Sequence, residues 1–145
     1  MTALLDTIWP HAAMLIMAFT AGTLLPLSSE LALVAAIKST AASSVGLIAA
    51  ATIGNVGGSA FNWWVGRYAR RLEGRRWFPF KPAQIDTAAA RYQRFGAWSL
   101  LFSWLPIVGD PLTFVAGMLR VPLTVFLPLV TLGKLARYVV VAVAV

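Results

Sequence analysis

Two acids stand inside segments that are otherwise apolar. Glu30 closes the stretch LLPLSSE and Asp110 closes WLPIVGD, each four residues after a proline, Pro26 and Pro106. An acid at the centre of a membrane helix costs about 2.5–3.5 kcal/mol on insertion scales. Burial disfavours its charged form, so such a group suits the gain and loss of a proton that proton-coupled carriers require. The plainer role is structural, with the acid or the neighbouring Ser28 or Ser29 capping the half-helix that follows. The two roles are compatible. Lys134 and Arg137, three apart, share one face of the last hydrophobic segment. Arg137 is close enough to the C-terminus to snorkel to the interface, whereas Lys134 lies deeper. The functional alternative pairs this face with Glu30 and Asp110 or with a lipid phosphate. Asn55 lies among small residues, where its amide can reach towards a broken segment. Arg67 and Arg120 flank hydrophobic segments, at positions suited to headgroup contact.

Other chemistry finds no support. The chain has no cysteine and a single histidine, His11, which excludes thiolate chemistry and a cysteine or histidine metal cluster. No cofactor is expected. There is no nucleophile elbow, no His–Asp pair and no phosphate loop, so an enzyme is not expected.

The elements that position these residues are membrane segments. Of 145 residues 59% are hydrophobic and only 12% charged, and the mean hydropathy is +0.78. A soluble domain carries roughly 25% charged residues, so an all-α integral membrane domain is expected over residues 1–145. The first basic residue is Lys38, so a cleaved signal peptide is not expected. Residues 67–94 carry eight basic side chains against Glu73 and Asp86, which is +6 of the net +7. Hydrophobic segments flank this loop closely, which argues for a cytoplasmic, headgroup-facing loop and against a nucleic-acid partner.

Four hydrophobic blocks emerge, at about residues 7–37, 44–66, 95–119 and 121–145. The first and third are broken, at Pro26–Glu30 and at Pro106–Pro111, and Gly109 belongs to the second break. Each half of a broken block is about a third to a half of a span, where a full span needs about 20 residues. Two half-helices around a break suggest a re-entrant hairpin; a kinked spanning helix is the plain alternative. Between the breaks the basic loop holds Pro79 and Pro82, then a polar helix expected over about 83–94. LP-x-x-x-E at 25–30 matches LP-x-x-x-D at 105–110, and Ile53-Gly54-Asn55 matches Leu132-Gly133-Lys134 at nearly the same offset. The unit is thus a broken segment plus a full helix, used twice, over 1–66 and 95–145. If the broken segments are hairpins, the second unit is inverted, a plan common in transporters. The basic loop is then cytoplasmic and both chain ends lie outside, whereas four plain spans put the ends on the loop's side. Gly54, Gly57 and Gly58 form a face for close helix packing, and Trp63 and Trp64 read as interface anchors.

LLPLSSE, GNVGGSAFNWWVGR, RFGAWSLLFSWLPIVGD, AGMLR and LGKLARY together resemble the DedA superfamily (VTT domain), and within it a small YqaA-like branch of bacterial inner-membrane proteins. The resemblance runs from about residue 19 to 142. It implies two re-entrant hairpins facing each other across the membrane, with Glu30 at the acidic position of the first. It also implies the movement of membrane lipids, phospholipid or polyisoprenyl phosphate, between leaflets in a way linked to the proton gradient. The chain departs from the family at Asn55, where an acid is frequent, and at Ser103 and Gly109, where arginines are usual. Asp110, Lys134 and Arg137 are expected to supply another charge arrangement. The expected partners are therefore lipids and protons, and a homodimer would suit so small a chain. A solute or ion carrier and a non-catalytic scaffold are the alternatives.

Overall fold

Seven helices order the described residues. The computed structural model describes residues 2–23, 28–69, 81–105 and 108–145. They form α1 (Thr2–Gly22), α2 (Ser29–Ser39), α3 (Ser44–Ala69), α4 (Pro82–Phe95), a 3-10 helix (Gly96–Trp104), α5 (Gly109–Met118) and α6 (Leu123–Val143). Helices α1, α3 and α6 are long and apolar enough to cross a bilayer. Their outer faces carry exposed Trp9, Ile16, Ile53, Trp64, Leu132 and Val140, a surface made for lipid rather than water. Pro26 and Pro106, which open the two expected breaks, lie outside the described residues, as do Arg70 to Phe80 of the basic loop.

Within the described residues the polar helix of the basic loop is present as α4. It begins with Pro82 at its first position, where a missing N–H costs nothing. The second broken block holds two short elements, a nine-residue 3-10 helix and the ten-residue α5. The first block differs from the half-span expectation. Its leading half is the 21-residue α1, which starts at Thr2 and continues through Pro10. Two polar side chains of its N-terminal turns bond within the helix, Thr7 to the Ala3 carbonyl (3.0 Å) and the His11 ring to the Thr7 carbonyl (2.8 Å). Its trailing half, α2, has 11 residues and is too short to span.

The residues divide into two compact units, 1–58 with 134–145, and 59–133. In the first, α1 and α2 pack together, and Met14, Ala18, Leu33, Leu47, Ala51 and Tyr138 form the core. Glycines let α1 meet α3 backbone to backbone. A Cβ on Gly54 would strike the Leu15 carbonyl and one on Gly58 the Phe19 carbonyl, while Gly46 lies against His11. The contact positions rise together along both chains, so α1 and α3 run parallel, and α2 must carry the chain back between them. In the second unit α4, α5 and the 3-10 helix pack on one another. Here Gly117 abuts the Trp63 carbonyl and Gly66 the Phe114 carbonyl, so α5 runs antiparallel to the end of α3.

Candidate functional site

The first turn of α2 is set by Ser28. Its Oγ accepts the Leu31 N–H (3.4 Å) and caps the helix, so the capping role falls to Ser28 and not to Ser29 or Glu30. Ser29 and Glu30 are thereby free to point elsewhere, and both turn to α6. Glu30 forms an ion pair with Arg137 through Oε1, and its Oε2 lies 3.5 Å from the Ser28 hydroxyl. The pair is partly accessible, with the arginine side chain 17% and the glutamate side chain 32% exposed. Arg137 is thus committed to a carboxylate rather than to snorkelling. Ser29 is buried and its Oγ lies 2.8 Å from the Tyr138 hydroxyl.

Tyr138 leads deeper. Asn55 donates from Nδ2 to the Tyr138 hydroxyl (2.9 Å), and Lys134 donates to Asn55 Oδ1 and to the Asn55 backbone carbonyl (3.3 Å). Lys134 is only 2% exposed, so it does not snorkel. Asn55 itself is fixed from behind, since Gly22 packs on its backbone carbonyl. The sequence reading aimed Asn55 at a broken segment. Its direct side-chain partners are on α6, and it reaches Ser29 of α2 only through Tyr138.

The links from Lys134 to Asn55 and from Asn55 to Tyr138 have a fixed direction. An ammonium group can only donate, so Asn55 Oδ1 must accept and its NH2 must point to Tyr138. The phenol accepts there, and in its bond to Ser29 either hydroxyl can be the donor. Lys134, Asn55, Tyr138 and Ser29 form a hydrogen-bonded line inside the unit, with the Glu30–Arg137 pair beside its end. Tyr138 is the member that sequence reasoning missed. An aromatic near the end of a membrane helix resembles an anchor; its spacing of four from Lys134 was the available signal.

The second acid sits differently. Asp110 is in the first turn of α5, whose N-cap is Val108 with no side-chain cap, and its carbonyl accepts the Thr113 hydroxyl (2.9 Å). Gly109 donates to the Leu105 carbonyl (2.7 Å) and abuts the Ser103 carbonyl so closely that no Cβ would fit. Pro111 is buried at the third position of α5. Gly57 faces the Phe19 ring, which a Cβ there would meet at 3.2 Å. Trp63, expected as an anchor, is buried, and its indole donates to the Val121 carbonyl (2.9 Å); Trp64 is exposed. Arg67 and Arg120 are both exposed. Among the described residues no group of three or more metal-ligating side chains occurs.

Residues 9–145 match the VTT domain. The chain belongs to the VTT domain family. It is 37% identical to the inner membrane protein YqaA of Escherichia coli over 126 residues, which is 87% of this chain and 84% of that protein. It is 38% identical to an uncharacterized protein of Haemophilus influenzae over 136 residues, 87% of this chain and 81% of the relative. No solved structure matches it. With three membrane-capable helices and such relatives, this VTT domain chain is a bacterial inner-membrane protein.

Proposed function

We propose that this VTT domain protein moves a phosphate-bearing lipid, phospholipid or polyisoprenyl phosphate, between the leaflets of the inner membrane, using the Glu30–Arg137 pair as a proton-controlled latch. The observation that carries the reading is that pair, partly accessible and fixed beside a buried polar line. While Glu30 is ionised it occupies Arg137. When Glu30 takes a proton its ion pair with Arg137 is lost, and a lipid phosphate can take the place of the carboxylate. Loss of the proton re-forms the pair and expels the phosphate. No covalent bond is made or broken, so the protein is a carrier and not an enzyme. Asp110, in the other unit, is the proton acceptor proposed for the second half of the cycle.

The architecture supports a hairpin and inverted-repeat plan. Helix α1 runs parallel to α3, and α2 is too short to recross, so residues 11–22 with α2 can enter and leave on one side. The sequence-matched Gly54 and Gly133 each press against a carbonyl of the helix before a break, Leu15 and Leu101 respectively. The matched Asn55 and Lys134 touch each other, as equivalent residues near a two-fold axis do.

Lipid exchange in proteoliposomes tests the reading. Wild-type and Glu30→Gln proteins would be compared with isoprenyl phosphate and phosphatidylethanolamine probes, with and without a pH gradient. Exchange by the wild type, at least about tenfold slower in the variant, is expected, as the loss of about 1.4 kcal/mol would produce. A gradient response marks coupling; its absence marks scrambling. No exchange of either lipid by folded protein would transfer the site to a small solute or ion, or to a structural role.

A further inference from the structure

The end of the second unit holds an arginine in a backbone conformation that arginine disfavours. Helix α5 closes with the Val121 N–H on the Ala116 carbonyl and the Arg120 N–H on the Gly117 carbonyl, both 3.0 Å. This is the double bond pattern that ends many helices, and its turning residue is left-handed and usually glycine. Here the residue is Arg120, at φ 57°. Among the described residues it is the one non-glycine with positive φ. Backbone outliers of this kind cluster at functional sites.

The carbonyl of the next residue, Val121, accepts the Trp63 indole N–H (2.9 Å). The guanidinium of Arg67 lies 5.3 Å from the centre of the same Trp63 ring. A buried indole thus fixes the turn that carries one exposed arginine while its face holds the other. At the same turns of α3 the outer face carries an exposed aromatic ladder, Phe61–Trp64 with ring centres at 6.2 Å and Trp64–Tyr68 at 5.2 Å. Exposed aromatic side chains of this kind sit at the headgroup level of a bilayer. Arg67 also opens the +6 segment that marks the cytoplasmic side.

We propose that Arg67 and Arg120, held around Trp63, form a docking site for the headgroup of an anionic phospholipid of the cytoplasmic leaflet. Arginine suits this ligand because its fork matches a phosphodiester, and the aromatic ladder sets the depth at which that phosphate lies. The site is independent of the Glu30 latch and its test requires no transport.

Native mass spectrometry of the purified chain in detergent, titrated with phosphatidylglycerol, phosphatidylcholine and inorganic phosphate, tests it. Arg67→Gln and Arg120→Gly should each weaken phosphatidylglycerol binding about fivefold, as expected for one cation at a membrane surface. Arg120→Gly should do so with an unchanged or raised unfolding temperature, because glycine accepts the left-handed turn at no steric cost. Arg67→Lys should retain more affinity than Arg67→Gln. Unchanged phosphatidylglycerol affinity in folded Arg67→Gln or Arg120→Gly protein overturns the proposal. An equal loss for phosphatidylcholine also overturns it, in favour of a general effect on surrounding lipid. Inorganic phosphate bound as tightly as the lipid, and lost in the same variants, would reassign the site to a soluble anion.

Discussion

Tyr138 holds two helices at one atom. Its hydroxyl takes the Asn55 amide of α3 and faces Ser29 of α2. Tyr138→Phe keeps the ring in the core but leaves the Asn55 NH2 and the Ser29 hydroxyl short of a partner. A cost of about 1–2 kcal/mol is expected, at the upper range for hydrogen bonds between membrane helices. Thermal unfolding of Tyr138→Phe, Ser29→Ala and the double variant measures it. A coupling of at least about 0.5 kcal/mol supports a bond, and additive losses refute one. The residues of this site were legible to different degrees for a physical reason. Glu30, Asn55, Lys134 and Arg137 are polar groups where polar groups are costly, so their presence alone marks them. Ser29 and Tyr138 carry hydroxyls small enough in cost to pass as a cap and an anchor. Trp63 misled in the same way, since sequence does not reveal whether an indole finds a carbonyl inside or outside.

At the scale of elements, the seam between α1 and α3 rests on which glycines have backbone against them. A methyl group on Gly58 would meet the Phe19 carbonyl and the Gly22 backbone, which cannot move without separating the helices. A methyl on Gly57 meets only the edge of the Phe19 ring at 3.2 Å, which can turn aside. Gly58→Ala should therefore destabilise the protein by about 1–3 kcal/mol, the range for overpacking, and Gly57→Ala by less than about 1 kcal/mol. Equal unfolding temperatures for the two variants would refute the close seam. The small-residue spacing made a packing face legible, but not its partner, because that depends on α2 returning the chain so that α1 and α3 run parallel. The length of α1 was hidden for a related reason. The hydrophobic block begins only at about residue 7, after Asp6, yet the helix starts at Thr2 and carries both Asp6 and Pro10.

For the whole molecule, the direction of the chain through the bilayer follows from two lengths and one charge. Helix α3 leads into the +6 segment, so its end is expected on the cytoplasmic side and its start outside. Helix α1 is parallel to α3 and therefore also enters from outside. The 11 residues of α2 rise about 17 Å, roughly half of a hydrocarbon core, and cannot form a separate span. If the second broken segment likewise returns to its own side, the N-terminus is expected outside and one crossing by α6 is expected to bring the C-terminus there too. A plan of four full spans predicts the opposite side for both ends. Single cysteines distinguish the two cleanly, because the chain has none of its own. Ala3→Cys and Ala144→Cys should react with a membrane-impermeant maleimide in cells with a permeabilised outer membrane, and Gln93→Cys of α4 only after lysis. Labelling of all three under one condition would place the ends beside the basic loop. The first broken segment would then be a span, α2 would lose its role as the returning arm, and Glu30 would stand within a crossing helix rather than at the tip of a hairpin.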